Sequence, residues 1–260
     1  MEHAVLRGIH GMGMFPACLV FACLATWAVA ADTDAKKDHA DPYRAQRERM
    51  VSQDIAKGDL WGRQAVKDAR VLAAMRKVLR HEFVPREMRD QAYADRPLPI
   101  GYGQTISQPY IVASMTELLQ PKPEHTALEI GAGSGYQAAV LAELVKKVYT
   151  IEIVPELSER AAATLKRLKY DNVTVKTGDG YHGWPEHAPF DLIIVTAAAA
   201  HIPPPLVEQL KPGGRMVIPV GPPMQVQQLI ILEKREDGSI RQRSVMPVRF
   251  VPLTRAPGRE

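Results

Sequence analysis

The sequence predicts an α/β fold: a doubly wound, mostly parallel sheet with an antiparallel strand pair at its C-terminal edge. Three observations carry this reading. Short apolar runs alternate with amphipathic segments from residue 127 onward, which is the pattern of βαβ units with a sheet buried on both faces. A glycine-rich turn, Gly131-Ala132-Gly133-Ser134-Gly135, stands between the first apolar run and the helical segment after it. The last two runs flank Asp237-Gly238, a hairpin signal.

Taken in order, residues 1–30 read as a leader. Arg7 precedes an apolar run around Phe15 to Val29, and Ala28-Val29-Ala30 offers the small residues of a cleavage site before Ala31. An uncleaved anchor and an internal start at Met50 are the alternatives. Residues 31–49 are dense in charges of both signs and poor in large aliphatics, as in a flexible linker. The folded domain is expected over 50–260. A functioning leader implies an exported or periplasmic protein, and without one a cytoplasmic protein is expected.

Val66, Ala69, Val71, Leu72, Met75, Val78 and Leu79 recur at helical spacing, predicting a helix ended by Phe83-Val84-Pro85. Pro97, Pro99, Gly101 and Gly103 suit an irregular loop. A second helix starts sharply, with Ser107 as its expected N-cap, Pro109 in its first turn and Ile111, Val112, Met115, Leu118 and Leu119 on its apolar face. Strands are expected at 127–130, 148–153, 173–175, 192–195, 216–220, 226–232 and 240–248, with helices at 137–145 and 156–168.

Composition narrows the chemistry. The 260 residues are 46% hydrophobic and 24% charged, which excludes wholesale disorder and a multi-span membrane protein. The only cysteines, Cys18 and Cys23, lie in the leader, so the domain has no thiol nucleophile and no cysteine zinc site. The eight histidines are scattered, and His182 and His187 lack metal-binding spacing; no metal is expected. A net charge of +4 permits nucleic-acid contact without requiring it.

Glycines between a strand and a helix let a nucleotide approach backbone N–H groups, since no Cβ blocks contact. Glu152, 21 residues after Gly131, stands where a carboxylate accepts from both ribose hydroxyls. A dinucleotide fingerprint would have glycine or alanine where this chain has Tyr136. The G-x-G-x-G spacing after Glu129 instead resembles the first motif of class I S-adenosylmethionine-dependent methyltransferases, whose fold is Rossmann-like. Gly178-Asp179-Gly180, Phe190 to Val195 and Leu210-Lys211-Pro212-Gly213-Gly214 follow in the order of that superfamily.

Upstream, Leu98-Pro99-Ile100-Gly101-Tyr102-Gly103-Gln104-Thr105-Ile106-Ser107-Gln108-Pro109 closely resembles the signature of protein-L-isoaspartate O-methyltransferases. The likeness runs from about Met50 to Thr254, through Ile194 to Ala199 and Val251-Pro252-Leu253-Thr254. It implies transfer of a methyl group from S-adenosylmethionine to the free carboxylate of an L-isoaspartyl residue in damaged proteins or peptides. S-adenosylhomocysteine is the other product, and the ester then collapses to a succinimide. The resemblance marks Ser107 as the active-site hydroxyl, expected to orient the carboxylate without attacking anything. It marks Glu129, Gly131, Gly133, Gly135, Glu152, Asp179 and Gly180 for the cofactor, and Gln104, Thr105, Ile106 and Thr254 for the substrate. No nucleic-acid partner is expected, no stable membrane partner is expected unless the leader stays uncleaved, and a monomer is expected. Two rivals remain: a nucleic-acid or small-molecule methyltransferase, weakened by Thr196-Ala197-Ala198-Ala199 where an Asn-Pro-Pro-Tyr type segment would stand, and a non-catalytic nucleoside-binding envelope protein.

Overall fold

The computed structural model describes residues 41–58 and 63–255. Seven strands form the main sheet: β3 (Thr126–Ile130), β4 (Lys147–Glu152), β5 (Val173–Thr177), β6 (Phe190–Val195), β7 (Leu210–Val220), β8 (Gln227–Lys234) and β9 (Ile240–Val248). Their spatial order is β5-β4-β3-β6-β7-β8-β9. The first five are mutually parallel, and β8 and β9 add antiparallel. The predicted α/β class and the antiparallel edge pair are therefore both present. Chain order reverses at β3, which pairs with β4 on one side and β6 on the other. In an open α/β sheet such a reversal opens a crevice beyond the strands' carboxyl ends.

The apolar runs lie where their composition requires. Leu128, Ile130, Ile151, Phe190, Ile193, Val195, Met216 and Ile218 interlock in one core. Strand β7 begins at Leu210, so the Leu210 to Gly214 segment expected to precede the fifth parallel strand is paired into it, with a register shift opposite Phe190 and Leu192. Helices α4 (Tyr136–Ala142) and α5 (Pro155–Arg167) are the crossovers. Pro155 opens α5, where a missing N–H costs nothing, and Lys166 and Arg167 face its negative end. A short α6 (Pro204–Glu208) was not predicted, because three successive prolines, 203–205, mask it.

Upstream of the sheet the expectations need correction. The charged stretch assigned to a linker contains helix α1 (Arg44–Arg49), which runs into a wider turn over Met50–Ile55 closed by Ala56 N–H to Val51 O (2.9 Å). Arg47 is buried and donates to Tyr93 Oη (3.3 Å), so a chain started at Met50 would lack a core contact. The leader, residues 1–30, lies outside the described residues. Among the described residues no helix is long and apolar enough to cross a membrane.

Helix α2 covers Ala69–Lys77, shorter than its apolar spacing suggested, because Asp68 caps it by accepting from Arg70 N–H (2.8 Å). It ends well before Phe83, and Arg80–Phe83 makes a separate 3-10 turn. The stretch read as an irregular loop is a hairpin, β1 (Leu98–Gly101) with β2 (Gln104–Ile106). Gly101, Tyr102 and Gly103 turn it with φ of +92°, +54° and +70°. Its prolines are compatible with strand because a two-stranded ribbon is all edge.

Candidate active site

Helix α3 (Pro109–Leu119) sets the position of Ser107, but Ser107 is not its cap. The residue at the cap position is Gln108, whose side chain makes no capping bond. The first free amide of the helix, Tyr110 N–H, is satisfied by Asp95 Oδ1 (2.9 Å) from the preceding loop. The other oxygen of Asp95 accepts from Gln108 Nε2 (2.9 Å) and Arg63 Nη2 (2.6 Å). With the capping done by Asp95, the Ser107 hydroxyl has no hydrogen-bond partner among the described residues. It lines a pocket of about 410 Å³ with Thr105, Gln108, Ile111, Thr196, Val248, Arg249 and other residues.

The glycine turn forms the adjoining wall. Gly131 has φ +94°, and a Cβ there would stand 2.5 Å from Thr196 Oγ1, so only glycine fits. That hydroxyl staples the turn by donating to Gly131 O (2.7 Å) and Ile130 O (3.0 Å). Glu152, at the end of β4 and only 5% exposed, accepts from Gly133 N–H (2.7 Å) and Val154 N–H (3.0 Å). One carboxylate thus fixes the turn while each oxygen keeps a lone pair. A Cβ on Gly180 would meet Ile130 Cγ2 at 2.4 Å, so the chain passes close over the end of β3. Gly131, Gly133, Glu152, Gly180, Gln104, Thr105 and Thr254 line one cleft. A third small cavity touches Thr105, Ile106, Ser107 and Gly131 to Ser134 together, joining the cleft to the serine.

Several expected site residues stand elsewhere. Thr254, expected beside the substrate, lines the glycine cleft rather than the Ser107 pocket. Gly135 begins α4 with φ +87°, where an added Cβ would stand 3.2 Å from Leu165 Cδ1; it lines neither the Ser107 pocket nor the glycine cleft. Glu129 is fully buried under the turn, accepting from Thr150 Oγ1 (2.5 Å), and is not on the cleft wall. Both Asp179 oxygens are engaged, Oδ1 by Tyr181 N–H (3.0 Å) and Oδ2 by Arg255 Nε (3.0 Å). His187 stacks on Tyr149 at 4.0 Å. Asp95, Thr196 and Arg255 were not singled out from the sequence as site residues, since nothing in local spacing marks a residue that acts across the fold.

Burial pushes the Glu129 carboxyl up from 4.5 to about 8. The proton is thus held more tightly folded than unfolded. The resulting stability is fully present below about pH 4.5 and is lost as pH rises through the window up to about pH 8. Glu129→Gln should therefore flatten the decline of the urea midpoint between pH 5 and pH 8. An unchanged slope would contradict the buried, protonated carboxyl.

Residues 48–258 match the family described as protein-L-isoaspartate(D-aspartate) O-methyltransferase. The chain belongs to that family. A protein-L-isoaspartate O-methyltransferase 2 of Syntrophobacter fumaroxidans is 58% identical over 246 residues, covering 93% of this chain and 96% of the relative. Another from Polaromonas sp. is 63% identical over 187 residues, covering 72% and 89%. A crystal structure from Plasmodium falciparum, described as a protein-L-isoaspartate O-methyltransferase in complex with S-adenosyl-L-homocysteine, superposes with a TM-score of 0.68 at 25% identity. It covers 83% of this chain and 100% of that one. The protein is an S-adenosylmethionine-dependent methyltransferase with the Rossmann-like class I fold.

Proposed function

We propose that the carboxylate of an L-isoaspartyl residue enters the 410 Å³ pocket and is held at Ser107 and the Gln108 N–H, facing the methyl donor across Thr105. The observation that carries this is the cavity lined by both Ser107 and Gly131 to Ser134. It brings the family's expected hydroxyl and the glycine turn to one point. Glu152 fits the ribose hydroxyls with its remaining lone pairs, and Gly131, Gly133 and Gly180 line the same cleft. Asp179, next to Gly180 on the cleft, is the residue proposed to receive the adenine amino group.

S-adenosylmethionine supplies an electrophilic methyl on a sulfonium. A carboxylate oxygen forms the new C–O bond, the C–S bond breaks, and its electron pair stays on sulfur, so anion and cation become neutral ester and thioether. No proton moves, and no general base is needed, because a carboxylate of ordinary pKa near 4 is already ionised at neutral pH. What the chain contributes is position. Fixing one carboxylate oxygen leaves the other free to attack in line, and excluding water removes solvation that would oppose charge neutralisation.

The test is transfer from methyl-labelled S-adenosylmethionine to an isoaspartyl peptide, with the aspartyl isomer and a transfer RNA alongside. Label is expected only on the isoaspartyl peptide. Label on RNA alone would overturn the reading. Against that rival, the Thr196 hydroxyl after β6 is already spent on the turn. For residues 1–30 we infer a cleaved export leader on the strength of Ala28-Val29-Ala30; N-terminal sequencing of the natively produced protein should then begin at Ala31.

A further inference from the structure

Arg80 is fully buried, with no carboxylate at salt-bridge distance among the described residues. Its Nε donates to Ala92 O (2.7 Å) and its Nη2 to Ser107 O (2.8 Å), while the guanidinium lies over the Tyr136 ring at 4.8 Å. Burying an unpaired cation is costly, and burial pulls its pKa down from the usual arginine value. Two main-chain carbonyls could be satisfied more cheaply, so stability alone does not account for an arginine here.

The bond to Ser107 O has a consequence on the other side of the same peptide group. The Ser107–Gln108 peptide is trans, so its C=O and N–H point in opposite directions. With the carbonyl turned inward to Arg80, the Gln108 N–H is turned outward, where both residues line the pocket. That N–H has no partner among the described residues. A charged donor on the carbonyl end polarises the amide and strengthens its N–H as a donor.

We propose that Arg80 is a positioning residue that turns and polarises the Ser107–Gln108 peptide, making the Gln108 N–H a donor to the substrate carboxylate. Asp95 completes the arrangement by holding the Gln108 side chain and Tyr110 N–H from the opposite flank, its charge balanced by Arg63. The inference rests on the reading that the isoaspartyl carboxylate docks at Ser107.

The experiment compares Arg80→Met, Arg80→Lys and Ser107→Ala in the full chain, by steady-state kinetics with an isoaspartyl peptide and by calorimetric binding of S-adenosylhomocysteine. Arg80→Met should lower kcat/KM for the peptide about 10²-fold, the scale of a small misplacement of reacting groups. Its S-adenosylhomocysteine affinity should stay within about twofold. Arg80→Lys, which can still reach Ser107 O but cannot fork to both carbonyls, should recover about tenfold of the loss. If Arg80→Met does not fold, Arg80→Lys against wild type carries the test, with about a tenfold loss in kcat/KM expected. Wild-type kcat/KM in the folded variant, or equal losses for peptide and S-adenosylhomocysteine, overturns the proposal. A Ser107→Ala enzyme with wild-type turnover would sink the hydroxyl's role alone, since Arg80 acts through the Gln108 amide and is judged by its own ratio.

Discussion

Ser107→Ala is expected to reduce turnover of an isoaspartyl peptide by on the order of 10²-fold or more while leaving the protein's stability almost unchanged. The two halves of that result have different origins. On the proposed docking, turnover falls because the hydroxyl and the Gln108 N–H hold the carboxylate together, and losing the hydroxyl lets it rotate out of line. Stability holds because Ser107 caps nothing. Were it the N-cap, removing its oxygen would cost about 1 kcal/mol; with Asp95 bonded to Tyr110 N–H, the change should stay within about 0.5 kcal/mol, as for substitutions away from caps and core. Thermal melting of the variant beside its initial rates checks both. A marked drop in melting temperature would return the hydroxyl to a structural role, and unchanged turnover would remove it from the mechanism.

The contrast between Ser107 and Asp95 also marks how far the sequence could be read. Elements whose cause is local were legible: the alternating apolar runs, the proline in the first turn of α3, the Asp237-Gly238 turn between β8 and β9, and the glycine turn with Glu152 after it. These depend on residues within a few positions of one another or, for Glu152, on a motif spacing of 21 residues from Gly131. The cap of α3 depends on an aspartate 15 positions before the amide it serves, and no periodicity points to it. The β1–β2 hairpin was hidden because its prolines and glycines argue for a loop until one knows that both strands are edges. Arg47, in a stretch whose charge density suggested solvation, is drawn into the core by Tyr93. Glu129 stood in the right motif, yet it faces Thr150 inside the sheet rather than the cleft, a distinction that needs the register of β3 against β4.

Glu152→Gln should abolish useful cofactor binding, with the dissociation constant of S-adenosylhomocysteine rising at least about 10²-fold. Hydrogen bonds to a charged group contribute about 1.5–3 kcal/mol each, and two ribose hydroxyls would lose their anionic acceptor. The amide adds a second fault. Glu152 accepts on both oxygens, from Gly133 N–H and Val154 N–H, whereas glutamine has one acceptor. Whichever way it turns, its NH2 faces one of those N–H groups, so either the glycine turn or the start of α5 is left unsatisfied. Glu156→Gln is the matched control, because it removes the same charge from an exposed position one residue into α5. Calorimetric titration of both variants separates the contact from the field: loss in Glu152→Gln alone assigns the effect to the bonds, and equal losses would assign it to charge. Retained affinity in Glu152→Gln, within about threefold, would mean that the ribose lies elsewhere. Ser107→Ala should bind S-adenosylhomocysteine as wild type does, because the serine reaches the cleft only through the small cavity beside Gly131. Those outcomes together would assign the cofactor to the turn after β3 and the substrate carboxylate to Ser107 and Gln108 before α3, as two parts that can be disabled one at a time.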